Sequence, residues 1–140
     1  MKDIKEISKL LEEWKEDTKN IKEAFVRLKD RLISKDHTLI SFISRPGISY
    51  SLRATIDAPN FKERPLFVMV DIVDDDPKNR WLSICFYGDM IEDPEEKGDL
   101  IPGGLLGEDG YCFDLYEWDE AALSYIEGRI DQAYEKALSL

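Results

Sequence analysis

The chain is poor in the residues that carry most recognisable chemistry. Among its 140 residues it has one histidine and two cysteines, and its N-terminal segment "MKDIKEISKLLEEWKED" is charged every few positions. No apolar run approaches the roughly 20 residues that cross a bilayer, and none resembles the core of a signal peptide, so neither a membrane nor export is expected and the location reads as cytoplasmic. With His37 alone, a multi-histidine metal site is excluded, and zinc would have to rest on cysteines without C-x-x-C spacing. Cys85 and Cys112 lie in apolar, strand-like segments and read as buried thiols of a reducing compartment. Basic residues are also in deficit: 19 Lys and Arg stand against 30 Asp and Glu, for a net charge of -11. That sign repels a phosphate backbone, so nucleic-acid binding is not expected. It suits a basic partner, nucleic-acid mimicry or, most simply, an acidic soluble domain.

Glycine is scarce except in one place. Four of the eight glycines fall in "IPGGLLGEDGY", at 101–111. A phosphate loop needs backbone N–H groups converging on a helix N-terminus, usually with Lys and Ser or Thr behind them. Here a strand follows, and Glu108 and Asp109 stand where an anion would bind. The glycines read instead as tight turns in a long connection over 89–110, which is either a lid or only a connection.

The acidic runs invite a calcium reading that fails on position. An EF-hand loop needs oxygen ligands at its first, third and fifth positions, Gly at the sixth and Glu at the twelfth. Started at Asp74, the fifth is Lys78 and the twelfth Cys85; started at Asp93, they are Lys97 and Gly104. Asp74, Asp75 and Asp76 therefore read as solvated turn carboxylates, and neither metal nor cofactor is expected. No G-x-S-x-G elbow is present. A nucleophilic pair of His37 with Cys85 or Cys112 is geometrically open, but His37 reads better as a surface residue at a helix-to-strand junction.

Periodicity supplies the fold. Apolar residues Ile4, Ile7, Leu11 and Trp14, then Ile21, Phe25, Leu28 and Leu32, step by threes and fours, as on one helical stripe. An unbroken helix from Ile4 to Leu32 would be roughly 43 Å long. It would overhang a domain whose radius of gyration is about 14 Å. "KDIKEI" recurs as "KNIKEA", each with Asp or Asn three residues before Glu, which is helix-start chemistry. Helices are expected over 4–16 and 21–34, with a break between Asp17 and Asn20. From Thr38 the period becomes two. Strands are expected over 39–44, 49–56, 66–73, 80–87 and 111–115, with "RPGI" as a type II turn inside the first hairpin. Asp119 caps a final helix whose inner stripe is Leu123, Ile126, Ile130, Ala133, Ala137 and Leu138. The expectation is a single α+β domain over 1–140: a two-layer, five-stranded antiparallel meander sheet with two N-terminal helices and one C-terminal helix.

What survives as a candidate site is a face of that sheet. If Leu82, Ile84 and Phe86 point toward the helices, Trp81, Ser83, Cys85 and Tyr87 point away, and Ser49, Ser51 and Arg53 of the neighbouring hairpin join them. Arg53, Trp81, Ser83 and Tyr87 are the candidate ligand-binding residues, an aromatic, hydroxyl and guanidinium mixture suited to an anionic or planar molecule. The structural alternative is that these aromatics pack beneath the long loop.

The stretches "SRPGISYSLRA", "RPLFVMVDIVDDDP" and "RWLSICFYGDMIEDPEEKGDLIPGGLLGEDGYCFD" resemble a small bacterial family to which no function is attached. The order of elements in an acidic chain is also similar to the frataxin-like fold, whose members bind iron through an acidic ridge; here the first helices interleave Lys with Glu and form no dense ridge. The leading expectation is a cytosolic, non-enzymatic binding or interaction domain for an unknown small molecule or protein, monomeric or a homodimer through the N-terminal helices. The alternatives are a small enzyme using the polar and aromatic sheet face, and an acidic frataxin-like metal-handling or nucleic-acid-mimic protein.

Overall fold

A computed structural model of the chain describes residues 2–58, 61 and 63–140. Its elements are α1 (Lys2–Glu13), α2 (Ile21–Ile33), β1 (Thr38–Arg45), β2 (Ser49–Ile56), β3 (Val68–Val73), β4 (Trp81–Tyr87), β5 (Asp99–Leu105), β6 (Glu108–Leu115) and α3 (Glu120–Leu138). The class is α+β, as expected, but the antiparallel sheet has six strands and not five. Its order, β1-β2-β3-β4-β6-β5, is not a simple meander.

The extra strand lies in the glycine-rich stretch. β5 and β6 form a tight hairpin in which Leu105 pairs with Glu108, and its two central residues, Leu106 (φ 52°) and Gly107 (φ 89°), both take positive φ. Positive φ at both positions is the requirement of the two-residue turn whose twist matches the strands it joins. Pro102 hides the strand from a sequence reading, because proline cannot donate to a ladder. It is tolerated here because β5 is the edge of the sheet. The rest of the presumed loop, 88–98, is neither lid nor loose connection. Met90 and Ile91 are buried in the core, and Arg129 of α3 donates to the Glu92 carbonyl at 2.6 Å.

The amino-terminal break stands where the length argument places it, but the residue that makes it differs. Asn20 adopts φ 58° with no side-chain cap. The Asp17 carboxylate instead accepts from the backbone N–H groups of Ile21 at 2.8 Å and Lys22 at 3.0 Å. Asp3 is inside the first turn of α1, so it is not a cap either. Asp119 does cap α3, accepting from the Ala122 N–H at 3.1 Å. In α3 Leu138 proves exposed, and Tyr134 takes the inner position instead.

The register divides the sheet into two faces. Phe42, Leu52, Val70, Ile84 and Phe113 form one row across five strands, and all are buried. They share a core cluster with Ile7, Leu10 and Trp14 of the first helix and its exit, Ile21, Phe25, Leu28 and Leu32 of α2, and Leu123, Ile126 and Ile130 of α3. The apolar stripes of all three helices are therefore spent on this one face. At about 25 cal/mol per Å² of apolar surface, burying such side chains contributes roughly 1.5–3 kcal/mol each before chain entropy is charged against them.

The end of the sheet near the "RPGI" turn is held by a buried ion pair. Gly47 has φ 86° and Ile48 donates to the Arg45 carbonyl at 2.9 Å, as a type II turn with Pro46 and Gly47 at its centre requires. Asp74 is not the solvated carboxylate its run suggests. It is 2% exposed, accepts from the Gly47 N–H at 2.9 Å and lies 2.6 Å from Arg80 Nε. The Arg80 guanidinium in turn lies over the rings of Trp14 at 4.9 Å and Tyr50 at 5.6 Å.

Candidate binding face

The second face of the sheet carries the odd-numbered residues of β1 to β5 and the even-numbered residues of β6, and most of its central row is polar. Ile43, Ser51, Asp71, Ser83 and Asp114 are successive Cα partners across β1, β2, β3, β4 and β6. The row beside it reads Ser41, Arg53, Met69, Cys85, Cys112 and Asp99 across all six strands. Alternation alone produces this: each strand that turns Leu or Ile inward turns its intervening residue outward.

Asp71 is the unusual member. Burial pushes its carboxyl above the ordinary range, opposed by the Ser51 hydroxyl beside it and by the charges of Arg53 and Arg45. Its Oδ1 is buried and has no hydrogen-bond partner among the described residues. Arg53 Nε donates to Ser51 Oγ at 3.2 Å, so the guanidinium lies back along β2 toward the central row and does not extend freely into solvent. Two strands away, burial also raises the Asp114 carboxyl; the Tyr116 and Ser83 hydroxyls oppose the shift, and the charge of Asp99 adds to it. Leaving an oxygen of Asp71 without a donor costs stability.

The four sequence candidates do share this face, but they do not converge. Trp81 and Tyr87 are at opposite ends of β4, roughly 20 Å apart at about 3.4 Å per residue. Trp81 packs against Tyr116 with ring centroids 4.9 Å apart. Tyr87 is 1% exposed, its hydroxyl has no hydrogen-bond partner among the described residues, and burial raises its pKa. Arg64 covers it, 4.2 Å from the ring centroid, and is held by Asp89 at 2.7 and 3.0 Å and by Glu108 at 2.9 and 3.3 Å. Tyr87 is thus the one candidate already packed under another segment, although that segment is not the long loop. Arg53 and Ser83, near the middle of the face, are the two that the geometry keeps together with Asp71.

Cys85 and Cys112 are not free thiols here. They are direct cross-strand partners with Cα atoms 4.2 Å apart, and they form a disulfide on this same face. With no thiol, the cysteine and histidine nucleophile has no member but His37, which is exposed at the start of β1. Among the described residues no three His, Cys, Asp or Glu side chains gather as metal ligands, so the metal-handling alternative finds no ligand set there. No helix among the described residues is long and apolar enough to cross a membrane. Two clefts flank Arg64, one of about 470 Å³ beside Phe61 and Glu63 and one of about 560 Å³ beside Leu100 and Tyr111, and Arg64 already pairs with the Asp89 and Glu108 carboxylates that line both.

Asp71 and Asp114 were missed by sequence reasoning. The available signal was Asp71 itself, the one charged residue inside "LFVMVDIV", where a strand buried on both faces would have none. Comparisons with protein families, with curated proteins and with solved structures each find no match to this chain.

Proposed function

We propose that the protein is a non-enzymatic binding domain that recognises its partner through the open face of its sheet. The observation that carries this reading is the row Ser51, Asp71, Ser83 and Asp114, flanked by Arg53, on the face opposite the helices. In that row a carboxylate oxygen of Asp71 is withdrawn from solvent without a donor. Natural interfaces leave such groups to be satisfied by the partner or by bridging water. The enzymatic alternative would use the same face, with two carboxyls held above their ordinary range around a serine. The one histidine, His37, lies before β1 and away from that row, and the enzymatic reading is the weaker one. A cytoplasmic home and a Cys85–Cys112 disulfide pull in opposite directions, because reducing compartments keep thiols open.

The test is a titration of isotope-labelled protein with a fragment library of small anions, planar aromatics and short peptides. Backbone shifts should concentrate at Arg53, Asp71 and Ser83, and Arg53→Ala should remove them while cooperative unfolding is retained. Shifts confined to the Arg64 clefts would overturn the reading.

A further inference from the structure

The partner of the open face can be inferred from how its charges are laid out, an inference that rests on the binding-face reading above. The whole chain carries a net charge of -11, but this face is nearly balanced. Arg45 and Arg53 stand on the β1–β2 half, Asp99 and Asp114 on the β6–β5 half, and Asp71 near the middle. A strongly basic partner does not match such a surface. A surface positive on one side of its midline and negative on the other is complementary to itself.

We infer that the occupant is a second copy of this chain, docked face to face about a two-fold axis running along the strands between β3 and β4. That operation lays β3 over the partner's β4, β2 over its β6 and β1 over its β5. Because the axis follows the strands, each row meets itself reversed. Asp71 then lies opposite the partner's Ser83, where a bridging water supplies a donor to its buried oxygen, and Ser51 lies opposite the partner's Asp114. Ser41 lies opposite the partner's Asp99, and Arg53 lies opposite the partner's Cys112, diagonal to the carboxylates of the partner's Asp99 and Asp114.

The apolar members pair as well, Val73 with the partner's Trp81 and Met69 with the partner's Cys85. Sheets packed this way sit about 10 Å apart with their strands rotated by about 30°, which keeps the central rows opposed. At that separation the long Arg53 reaches a carboxylate directly, whereas the short Ser and Asp pairs meet through bridging water.

The size of the face fits. Six strands about 4.8 Å apart and some seven residues at about 3.4 Å give roughly 700 Å². A standard stable interface takes about 800 Å² from each partner. Two-fold self-complementary contact is also the commonest way soluble chains associate.

The experiment is sedimentation equilibrium of the full chain over a range from about 5 to 500 µM. The wild type should approach twice its 16.2 kDa mass, with association weakened by about tenfold or more in 1 M NaCl. Arg53→Glu and Asp114→Arg should each be monomeric, because each places like charges together twice. Mixed in equal amounts they should form a dimer again, since position 53 of each variant then meets an opposite charge at position 114 of the other. Should either variant fail to unfold cooperatively, Asp99→Lys on the exposed edge strand replaces it, and it too should weaken the wild-type dimer. A dimer indifferent to all these substitutions, or mixing that restores nothing, overturns the proposed pairing. A wild type that stays monomeric at every concentration overturns the second copy as partner but not the binding face, which the fragment titration decides separately.

Discussion

Arg80 Nε lies 2.6 Å from Asp74 Oδ1, and the pair is almost wholly withdrawn from solvent at the end of the sheet where the β1–β2 turn meets the exit of β3. Removing one partner of such a pair leaves a buried charge uncompensated, which costs about 3–5 kcal/mol. Asp74→Ala also strips the acceptor from the Gly47 N–H. The variant should lose about that much in urea denaturation. The double variant with Arg80→Met should lose less than the two single losses added together, because the two residues share one interaction. Additive losses would show that the pair is not coupled.

The disulfide is the next measurable element. Cys85 and Cys112 are 27 residues apart in sequence. Closing a loop of that length removes unfolded-chain entropy equivalent to roughly 3.5 kcal/mol at 25 °C. Native β4 and β6 are already paired by backbone hydrogen bonds, so the bond acts mainly on the unfolded state. Adding reductant should lower the melting temperature by about 10 °C, at a few degrees per kcal/mol for a chain of this size. Coincident melting curves, with two titratable thiols in the untreated protein, would show that the bond does not form.

Asp93 ties the 88–98 segment to the helix layer. Its carboxylate accepts from the Tyr125 hydroxyl and from the backbone N–H groups of Gly98 at 2.8 Å and Lys97 at 3.1 Å. Burial works against the charge, but these donors outweigh it and hold the carboxyl below its ordinary range. A depressed folded pKa gives stability that is present above the unfolded value near 3.9 and lost as pH falls through the folded one. Asp93→Asn should cost about 1 kcal/mol at pH 7, and the gap from the wild type should narrow below about pH 4. A gap constant with pH would separate the role of Asp93 from its charge.

The fold was largely legible in the chain because its strongest signals are periodic. The stripes through Trp14, Ile21, Phe25 and Leu28, and the alternation along Leu52, Ala54 and Ile56, report burial directly. β5 was not legible. All its residues but Leu105 are exposed, so it has no buried alternation to read, and Pro102, Gly103 and Gly104 are the composition of a loop. Finding it depends on Leu106–Gly107 being a turn, and leucine at positive φ is not a turn signal. The open face was legible as a set of residues sharing a side, since parity alone decides that. Its centre was not, because register depends on which strands pair, and the β4–β6 neighbourhood that brings Asp114 beside Ser83 and Cys112 beside Cys85 skips a strand. Asp17 was missed as the cap of α2 because its carboxylate reaches forward four and five residues, past the spacing of a capping box.

Asp71 gives the converse pH behaviour to Asp93, and its test bears on what the open face is for. Burial raises its carboxyl pKa in the folded chain. A raised pKa means that the folded state holds the proton more tightly than the unfolded state does. The resulting stabilisation is complete below the unfolded value near 3.9 and is lost as pH rises through the folded one. At pH 7 the ionised carboxylate is therefore a cost to the isolated domain. Measured at roughly 5 µM, Asp71→Asn should raise stability by about 1 kcal/mol, the low end for relieving an unsatisfied buried group, and the gain should vanish toward pH 3. A residue that destabilises its own fold at neutral pH while facing away from the core is one whose charge is matched by something else. A loss of stability at pH 7, or a gain that persists in acid, would mean that Asp71 is already satisfied within the chain and that the open face does not call for a donor.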